Sequence, residues 1–396
     1  MRTRRSLGPW VVLALLLSAC AARVAPIGSD GHAFTPAPDE RLLWAQADRE
    51  AAILLERVGT YDDPPLAAYL ASMVERVTPA GRTMGGGPVP RVVILRDPTL
   101  AVFAVPDGRV FVHAGLVAAV ETEPQLALVL ARELAHVFQR HALAAWRAGR
   151  VAPSPAGSLT PLGPTAAAIL GAGLPVMATA ALTGYGNGSE READALGLAA
   201  VMRGGWNPHA AAAVWSVLAR DLAGRGALET FLPGRPAWLE ARLRSAPTPP
   251  GAPPGAPVGS SDELETRRRS LLRDNAADDL RRGRFALARR QLEHVLAAEP
   301  TDALAHVHYG DLHRLQSQRA ATPEERETEI RQARSRYTRA LVLDPALAQA
   351  HRQLGLLYYQ QQSLARARAE LEEYLKQAPT APDAARISEY LRELGH

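Results

Sequence analysis

The sequence predicts an α+β protein, in which a mainly helical domain with a small β-sheet is followed by an α-solenoid. Short β-prone segments between residues 91 and 112 precede a helical segment, 126–138, that is apolar on almost every face. Residues 245–261 contain six prolines without apolar periodicity, which is typical of an interdomain linker. Beyond this linker, over 262–396, helical segments recur at a regular spacing.

The N-terminus has the pattern of a bacterial lipoprotein signal. Three arginines precede an uncharged apolar run that is too short for a typical membrane span. The run ends in Leu17-Ser18-Ala19-Cys20, which resembles a lipobox and implies cleavage before Cys20 and acylation of its thiol. We therefore expect a signal over 1–20, a tether over 21–40 and a lipid-anchored periplasmic protein. Ala21 after the cysteine favours the outer membrane.

Composition and charge set limits on the class of protein. The chain has 396 residues, 47% apolar and 22% charged, as in ordinary globular proteins of two or three domains. Its net charge of +4 is small for this length, and its arginines are interspersed with acidic residues. The sequence therefore gives no support for nucleic-acid binding, and we expect none.

The first half of the chain contains the elements of an α+β domain. Two helices are predicted between 41 and 77, because apolar residues recur at helical spacing on both sides of a break at 61–65. A strand is predicted at 91–95, and a hairpin follows around Pro106-Asp107-Gly108. In a peptidase, such a strand can pair with an extended substrate chain by β-augmentation.

A second apolar run, 164–183, is rich in Ala and Gly and is interrupted by Pro175. Because these small residues contribute little transfer free energy, we favour a helical hairpin that packs over the site or touches the membrane surface. A transmembrane span is the alternative. Further helices are predicted over 189–201 and 208–218.

Three polar residues interrupt the apolar segment 126–138. Arg132 and His136 are four residues apart and share a helix face, with Glu133 beside them. With histidine at position 132 the segment would read His-Glu-x-x-His, the motif in which two imidazoles bind zinc and the glutamate is the general base. Further along, Glu190 and Asp194 also share one face of a predicted helix.

Three prolines mark repeats in the C-terminal part. Pro300, Pro345 and Pro379 each follow an alanine by twelve residues. The last unit, 346–379, has the thirty-four-residue helix-turn-helix period, and the unit before it contains an eleven-residue insertion. The pattern resembles the tetratricopeptide repeat, whose stacked units form a groove for peptides or partner proteins. A generic helical bundle is the alternative.

Several segments of the N-terminal part, in this order and spacing, resemble zinc metallopeptidases of the HtpX and CAAX prenyl endopeptidase family. They are the segments 104–112, 115–116, 133–137, 140–141 and 190–197. Periplasmic members of that family carry a signal or lipid anchor and a C-terminal tetratricopeptide domain, and they act in the assembly and quality control of outer-membrane β-barrel proteins. The resemblance implies a zincin-like domain over 41–244, followed by the linker over 245–261 and the repeats over 262–396.

The resemblance also implies functional residues by position. His136 and Glu190 match zinc ligands, and Glu133 matches the general base. Asp194 matches the carboxylate that orients a ligand histidine. At two positions where relatives have histidine this chain has arginine: Arg132 at the first zinc ligand, and the arginine of Gly234-Arg235-Pro236.

Arg132 argues against zinc in this chain. A guanidinium has no lone pair to offer and is not deprotonated in proteins, so two protein ligands remain where catalytic zinc normally uses three. On a continuous helix His141 lies about 140° away from His136, so we expect that it cannot replace the missing ligand. We expect Arg132 to bind Glu190 or Asp194 in place of the metal ion.

These residues lead to three functional hypotheses. The favoured one is a pseudopeptidase that binds unfolded or assembling envelope proteins, with repeats that contact the outer-membrane assembly machinery. The second is an active zinc endopeptidase that degrades misfolded envelope proteins, in which Arg132 turns aside. The third is a repeat scaffold with an inert N-terminal domain. Whether the chain is an enzyme depends on the position of Arg132.

Overall fold

The structure, a computed structural model, describes residues 24–29, 32–79, 86–150, 163–223 and 262–394. The chain divides into two compact units between Arg267 and Arg268. The signal, Cys20, Arg235 and the proline-rich linker lie outside the described residues and stay predictions.

The first unit begins with the two helices expected from periodicity, α1 (Pro38–Val58) and α2 (Pro64–Val77). Proline in the first turn of each suits a position without a hydrogen-bonded N–H group. The carboxylate of Asp63 accepts a hydrogen bond from the N–H of Leu66 at 3.0 Å and caps α2. Residues 38–40, expected in the tether, form the first turn of α1, and Glu40 is buried there.

The small sheet has three strands in the order β1-β3-β2. They are β1 (Arg91–Leu95), β2 (Val102–Ala104) and β3 (Arg109–His113). Strands β2 and β3 form the predicted antiparallel hairpin, whereas β1 pairs with β3 in parallel. Gly108 in the hairpin turn has a φ of 97°, and a Cβ atom there would lie 2.7 Å from the carbonyl oxygen of Val89. The turn therefore requires glycine.

The central helix lies after the sheet. It is flanked by two short helices, in the order α3 (Ala114–Ala119), α4 (Glu123–Phe138) and α5 (His141–Arg147). Every residue of α4 from Pro124 to Phe138 is buried, as its apolar pattern predicted. Between α4 and α5, Arg140 has a φ of 58°, in the left-handed region that residues other than glycine rarely adopt. The chain changes direction at this residue.

The second apolar run forms short helices rather than one long one. They are α6 (Pro164–Ala172), α7 (Pro175–Ala178) and a π-helical turn (Thr179–Thr183). Two buried carboxylates hold their N-termini: Asp97 accepts from the N–H of Thr165 at 2.8 Å, and Glu50 accepts from that of Met177 at 2.9 Å. The run packs with α1 and β2 in one core cluster. Across the described ranges, no helix has both the length and the apolar character needed to cross a membrane.

Three helices complete the described part of this unit, α8 (Asn187–Arg203), α9 (Pro208–Ala212) and α10 (Val214–Ala223). The prediction of a single helix over 208–218 is wrong, because the helix is interrupted at Ala213 and two helices form. Asn207 begins α9 by accepting a hydrogen bond from the N–H of His209 at 2.9 Å.

The second unit consists of paired helices. The helices are α11 (Asp262–Arg281), α12 (Phe285–Ala298), α13 (Ala303–Ser317), α14 (Pro323–Leu343), α15 (Ala348–Gln360), α16 (Leu364–Gln377) and α17 (Ala384–Glu393). The second unit begins within α11, at Arg268. The predicted helix-turn-helix repeats are confirmed. A Cβ atom at Gly355 would lie 2.8 Å from the side chain of Leu371, so glycine permits this pair of helices to approach closely. The inserted residues lengthen the N-terminal part of α14, where Thr322 caps the helix.

Candidate functional site

The candidate site lies between α4 and α8. Glu190 lies beside His136, with 3.6 Å between Oε2 and Nε2, and Asp194 lies beside Arg132. The two helices are therefore antiparallel. A Cβ atom at Gly197 would approach the backbone nitrogen of Arg132 to 3.0 Å, so glycine lets the helices meet closely at this point.

Arg132 points into the site and binds three carboxylates. Its Nη1 donates to Glu133, its Nη2 donates to Glu190, and its Nε donates to Asp194 at 3.2 Å. Although burial acts against the charged guanidinium, these three carboxylates hold the pKa of Arg132 above its usual value. The contact expected with Glu190 or Asp194 is made with both carboxylates, and a third contact, which was not expected, joins the guanidinium to Glu133.

Glu190 is ionised despite its burial. Burial raises the pKa of this carboxyl group, but His136 beside it and the charge of Arg132 lower the pKa more, to well below its usual value. The backbone N–H of Tyr185 also donates to Oε1 of Glu190 at 3.2 Å. The carboxylate therefore has partners on three sides.

His141 does not lie where a continuous helix would place it. Its Nδ1 is 2.8 Å from Nδ1 of His136, so the two rings share a hydrogen bond. The expectation that His141 faces away from His136 was wrong, because α4 ends at Phe138 and the left-handed Arg140 returns the chain towards α4. The hydrogen bond joins His141 to the back of the His136 ring and orients this ring.

Burial keeps both imidazoles neutral. It lowers the pKa of His136 to about 4, and it also lowers the pKa of His141. On the outer side, Nε2 of His141 lies 3.3 Å from a carboxylate oxygen of the exposed Glu192.

Tyr185 is a site residue that the sequence did not reveal. Its ring centroid lies 5.0 Å from that of His136 and 6.1 Å from that of His141. The residue is buried, which raises the pKa of its hydroxyl group. It lies five positions before Glu190 in a glycine-containing loop, and no motif marks that position.

A narrow cleft opens beside His136. It is lined by Tyr185, Arg140, Glu40 and the end of the hairpin strand at 104–106. Across the cleft wall, Nε of Arg140 donates to Glu40 at 2.9 Å. The cleft thus joins the candidate site to the start of α1.

The residues of this site do not fit catalytic zinc. The guanidinium of Arg132 lies among the carboxylates that would face the metal ion, and at about 4 Å it would repel Zn²⁺ by roughly 8 kcal/mol at an effective dielectric constant of about 20. In the described part of the chain, no three side chains of His, Cys, Asp or Glu form a group that could hold a metal ion. Glu133 is paired with Arg132 rather than available to a metal-bound water molecule.

Comparison with known proteins supports the resemblance. The sequence profile of Peptidase family M48 matches residues 64–317, and that of the tetratricopeptide repeat matches residues 325–392. Over 162 residues the chain is 30% identical to the beta-barrel assembly-enhancing protease of Escherichia coli, and over 160 residues it is 31% identical to that of Yersinia pestis. Over 126 residues it is 34% identical to the mitochondrial metalloendopeptidase OMA1 of Schizosaccharomyces pombe.

These matches cover 38%, 37% and 31% of this chain, respectively. They span only about a third of each relative, 32%, 32% and 35%. The family profile, by contrast, covers more than half of the chain and includes α4, α8 and the residues between them. The chain therefore belongs to peptidase family M48 and carries tetratricopeptide repeats in its C-terminal part.

Proposed function

We propose that this protein is a lipid-anchored member of the M48 family in the periplasm that binds unfolded or assembling outer-membrane proteins without cleaving them. The observation that carries the proposal is the guanidinium of Arg132 bound by Glu133, Glu190 and Asp194. The names of its relatives, which act in β-barrel assembly, support the class of client.

The loss of zinc removes the chemistry that the family uses. A catalytic zinc ion lowers the pKa of its bound water and polarises the scissile carbonyl group. Arg132 supplies positive charge but has no open coordination position, and it neutralises the carboxylate of Glu133 that would serve as the base. What remains is a fold with a cleft and repeats, which suits binding.

The repeats supply a second binding surface in this proposal. Stacked tetratricopeptide units present a groove that accepts peptides or partner proteins. We assign this groove to the outer-membrane assembly machinery and the surface around the narrow cleft beside His136 to the client. This division of roles makes a single chain able to bring a client to its assembly partner.

An active zinc endopeptidase that degrades misfolded envelope proteins is the second candidate. One observation favours it: Glu133, His136, Glu190 and Asp194 are all present and lie together between α4 and α8. For zinc to bind, Arg132 would have to leave three carboxylates at once.

Metal analysis of the purified full chain separates the two candidates. We expect no stoichiometric zinc in the wild type purified without chelator, and zinc uptake in the Arg132→His variant. The wild type should also suppress the aggregation of an unfolded outer-membrane β-barrel protein equally well with and without chelator. Stoichiometric zinc in the wild type, together with casein cleavage that Glu133→Gln abolishes, would overturn the proposal.

A further inference from the structure

The N-terminal segment 24–29 is bound to the end of the site helix. The N–H of Ile27 donates to the carbonyl oxygen of Phe138, the last residue of α4, at 2.9 Å. The carbonyl oxygen of Ala25 accepts from Nη1 of Arg140 at 3.0 Å. The side chain of Ile27 is only 2% exposed. This part of the tether is therefore fixed at the junction of α4 and α5.

The same junction is joined to the start of α1. Arg140 binds Glu40 as well as Ala25, and at the other end of α5 the Nε of Arg147 donates to Asp39 at 2.7 Å. These contacts join the segment 24–29, the first turns of α1 and the helix α5, and we call the exposed residues of these three segments the anchor face.

Two large apolar side chains are exposed on the anchor face. Leu42 is 67% exposed and lies one helical turn after Asp39, and Trp146 is 36% exposed and directly precedes Arg147. Both belong to the two helices that the ion pair between Asp39 and Arg147 joins. Tryptophan with an apolar ring and a polar N–H group is the side chain that membrane interfaces favour.

Chain length places the anchor face near the predicted lipid. Cys20 precedes Ala25 by five residues, and a fully extended chain of five residues spans about 18 Å at most. We propose that the acyl chains on Cys20 hold the anchor face against the lipid bilayer, so that the cleft beside His136 opens at the membrane surface. The inference goes beyond client binding and rests on the proposed lipid anchor alone.

The consequence concerns where clients are met. An acyl anchor alone leaves a protein free to rotate on a long tether. A tether that is fastened at Ile27 determines which face of the protein lies nearest the bilayer. The cleft is lined by Arg140, which also holds the tether, so cleft and anchor are joined through one side chain. Clients would be bound beside the bilayer rather than in the open periplasm.

Fluorescence quenching tests this orientation. Trp146→Cys is compared with Arg203→Cys, because the exposed Arg203 ends α8 at the opposite end of the antiparallel α4, which is about 24 Å long. Cys20 is the only cysteine in the sequence, so after its acylation the introduced thiol is the only one to label. The acylated full chain is labelled at this thiol with a nitrobenzoxadiazole probe. It is then bound to vesicles of phosphatidylethanolamine, phosphatidylglycerol and a nitroxide-labelled lipid, which is the quencher.

We expect quenching at position 146 to be at least twice that at position 203. Leu42→Cys provides a second position on the anchor face, with the same expected quenching, in case the Trp146 variant folds poorly. Equal quenching at 146 and 203, or no quenching at 146 and 42, would overturn the proposal, as would a mass spectrum without acylation of Cys20. If an added client protein shields the probe at position 146 and the vesicles do not, this face binds protein and the proposal is overturned. None of these results depends on zinc or on client aggregation.

Discussion

The Nε of Arg132 lies 3.2 Å from a carboxylate oxygen of Asp194, and this contact joins α4 to α8. The same guanidinium reaches Glu133 on its own helix and Glu190 one turn before Asp194. A single guanidinium therefore contacts three acidic residues, two of which are buried.

Removal of that guanidinium should strongly destabilise the first unit. Arg132→Ala leaves Glu133, Glu190 and Asp194 without their cation, and loss of one partner of a buried ion pair costs about 3–5 kcal/mol. The measurement is the free energy of unfolding in urea at neutral pH. Arg147→Ala is the matched control: its ion pair with Asp39 is 40% exposed on both sides, so we expect little change. Equal losses in the two variants would contradict this account.

The left-handed backbone at Arg140 predicts that substitution by alanine destabilises the protein more than substitution by glycine. Both Arg140→Gly and Arg140→Ala lose the contact with Glu40, but only glycine adopts a φ of 58° without a steric penalty. Despite the greater freedom of glycine in the unfolded chain, we expect the alanine variant to be less stable by about 1 kcal/mol. Thermal unfolding of both variants measures the difference. A more stable alanine variant would show that the backbone of Arg140 is not strained.

The buried His113 predicts loss of stability in mild acid. Its Nδ1 lies 2.8 Å from the hydroxyl oxygen of Thr99, and burial lowers its pKa below the ordinary 6.5 although Asp97 acts in the opposite direction. The unfolded chain therefore binds a proton first as the pH falls through about 6.5, and the free energy of unfolding decreases from there towards the lower pKa of the folded state.

The free energy of unfolding should fall less steeply in the variant His113→Asn between about pH 6.5 and 5, the range in which an unperturbed histidine takes up its proton. His136 and His141 are also buried with lowered pKa values, so part of the slope should remain. His209→Asn, at an exposed position, is the control. An unchanged slope in His113→Asn would show that His113 does not contribute.

The repeats should be sensitive to a single methyl group. Gly355→Ala places a Cβ atom 2.8 Å from the side chain of Leu371, and we expect a loss of about 1–3 kcal/mol in the stability of the second unit. In Gly188→Ala the added Cβ has no atom within 4 Å, so helix stability should be unchanged or improved. Chemical denaturation followed by circular dichroism compares the two. A destabilised Gly188→Ala protein would indicate a general intolerance of substitution.

Local patterns predicted most of the helices and the polar residues of the site. The buried face of α4, the hairpin around Gly108 and the spacing of the repeats all depend on residues close in sequence. The pairing of α4 with α8 was implied by the family resemblance, which matches His136 and Glu190 to ligands of one zinc ion; the four-residue spacings alone indicated only shared helix faces.

The features that the sequence did not predict depend on backbone geometry or on distant contacts. A left-handed residue is usually glycine or asparagine, so nothing in the letters around Arg140 indicated the reversal that brings His141 to His136. The parallel pairing of β1 with β3 depends on the path between them. Tyr185 reaches the site through a loop that has no motif of its own.

The cation at the contact of α4 and α8 is part of the polypeptide itself. A bound metal ion exchanges with the surroundings, and its occupancy follows supply, competing ions and chelators. The guanidinium of Arg132 is covalently fixed and always charged, so it is present in every copy as soon as the chain is synthesised. The contact between these two helices can therefore form at any concentration of free zinc in the compartment, including none.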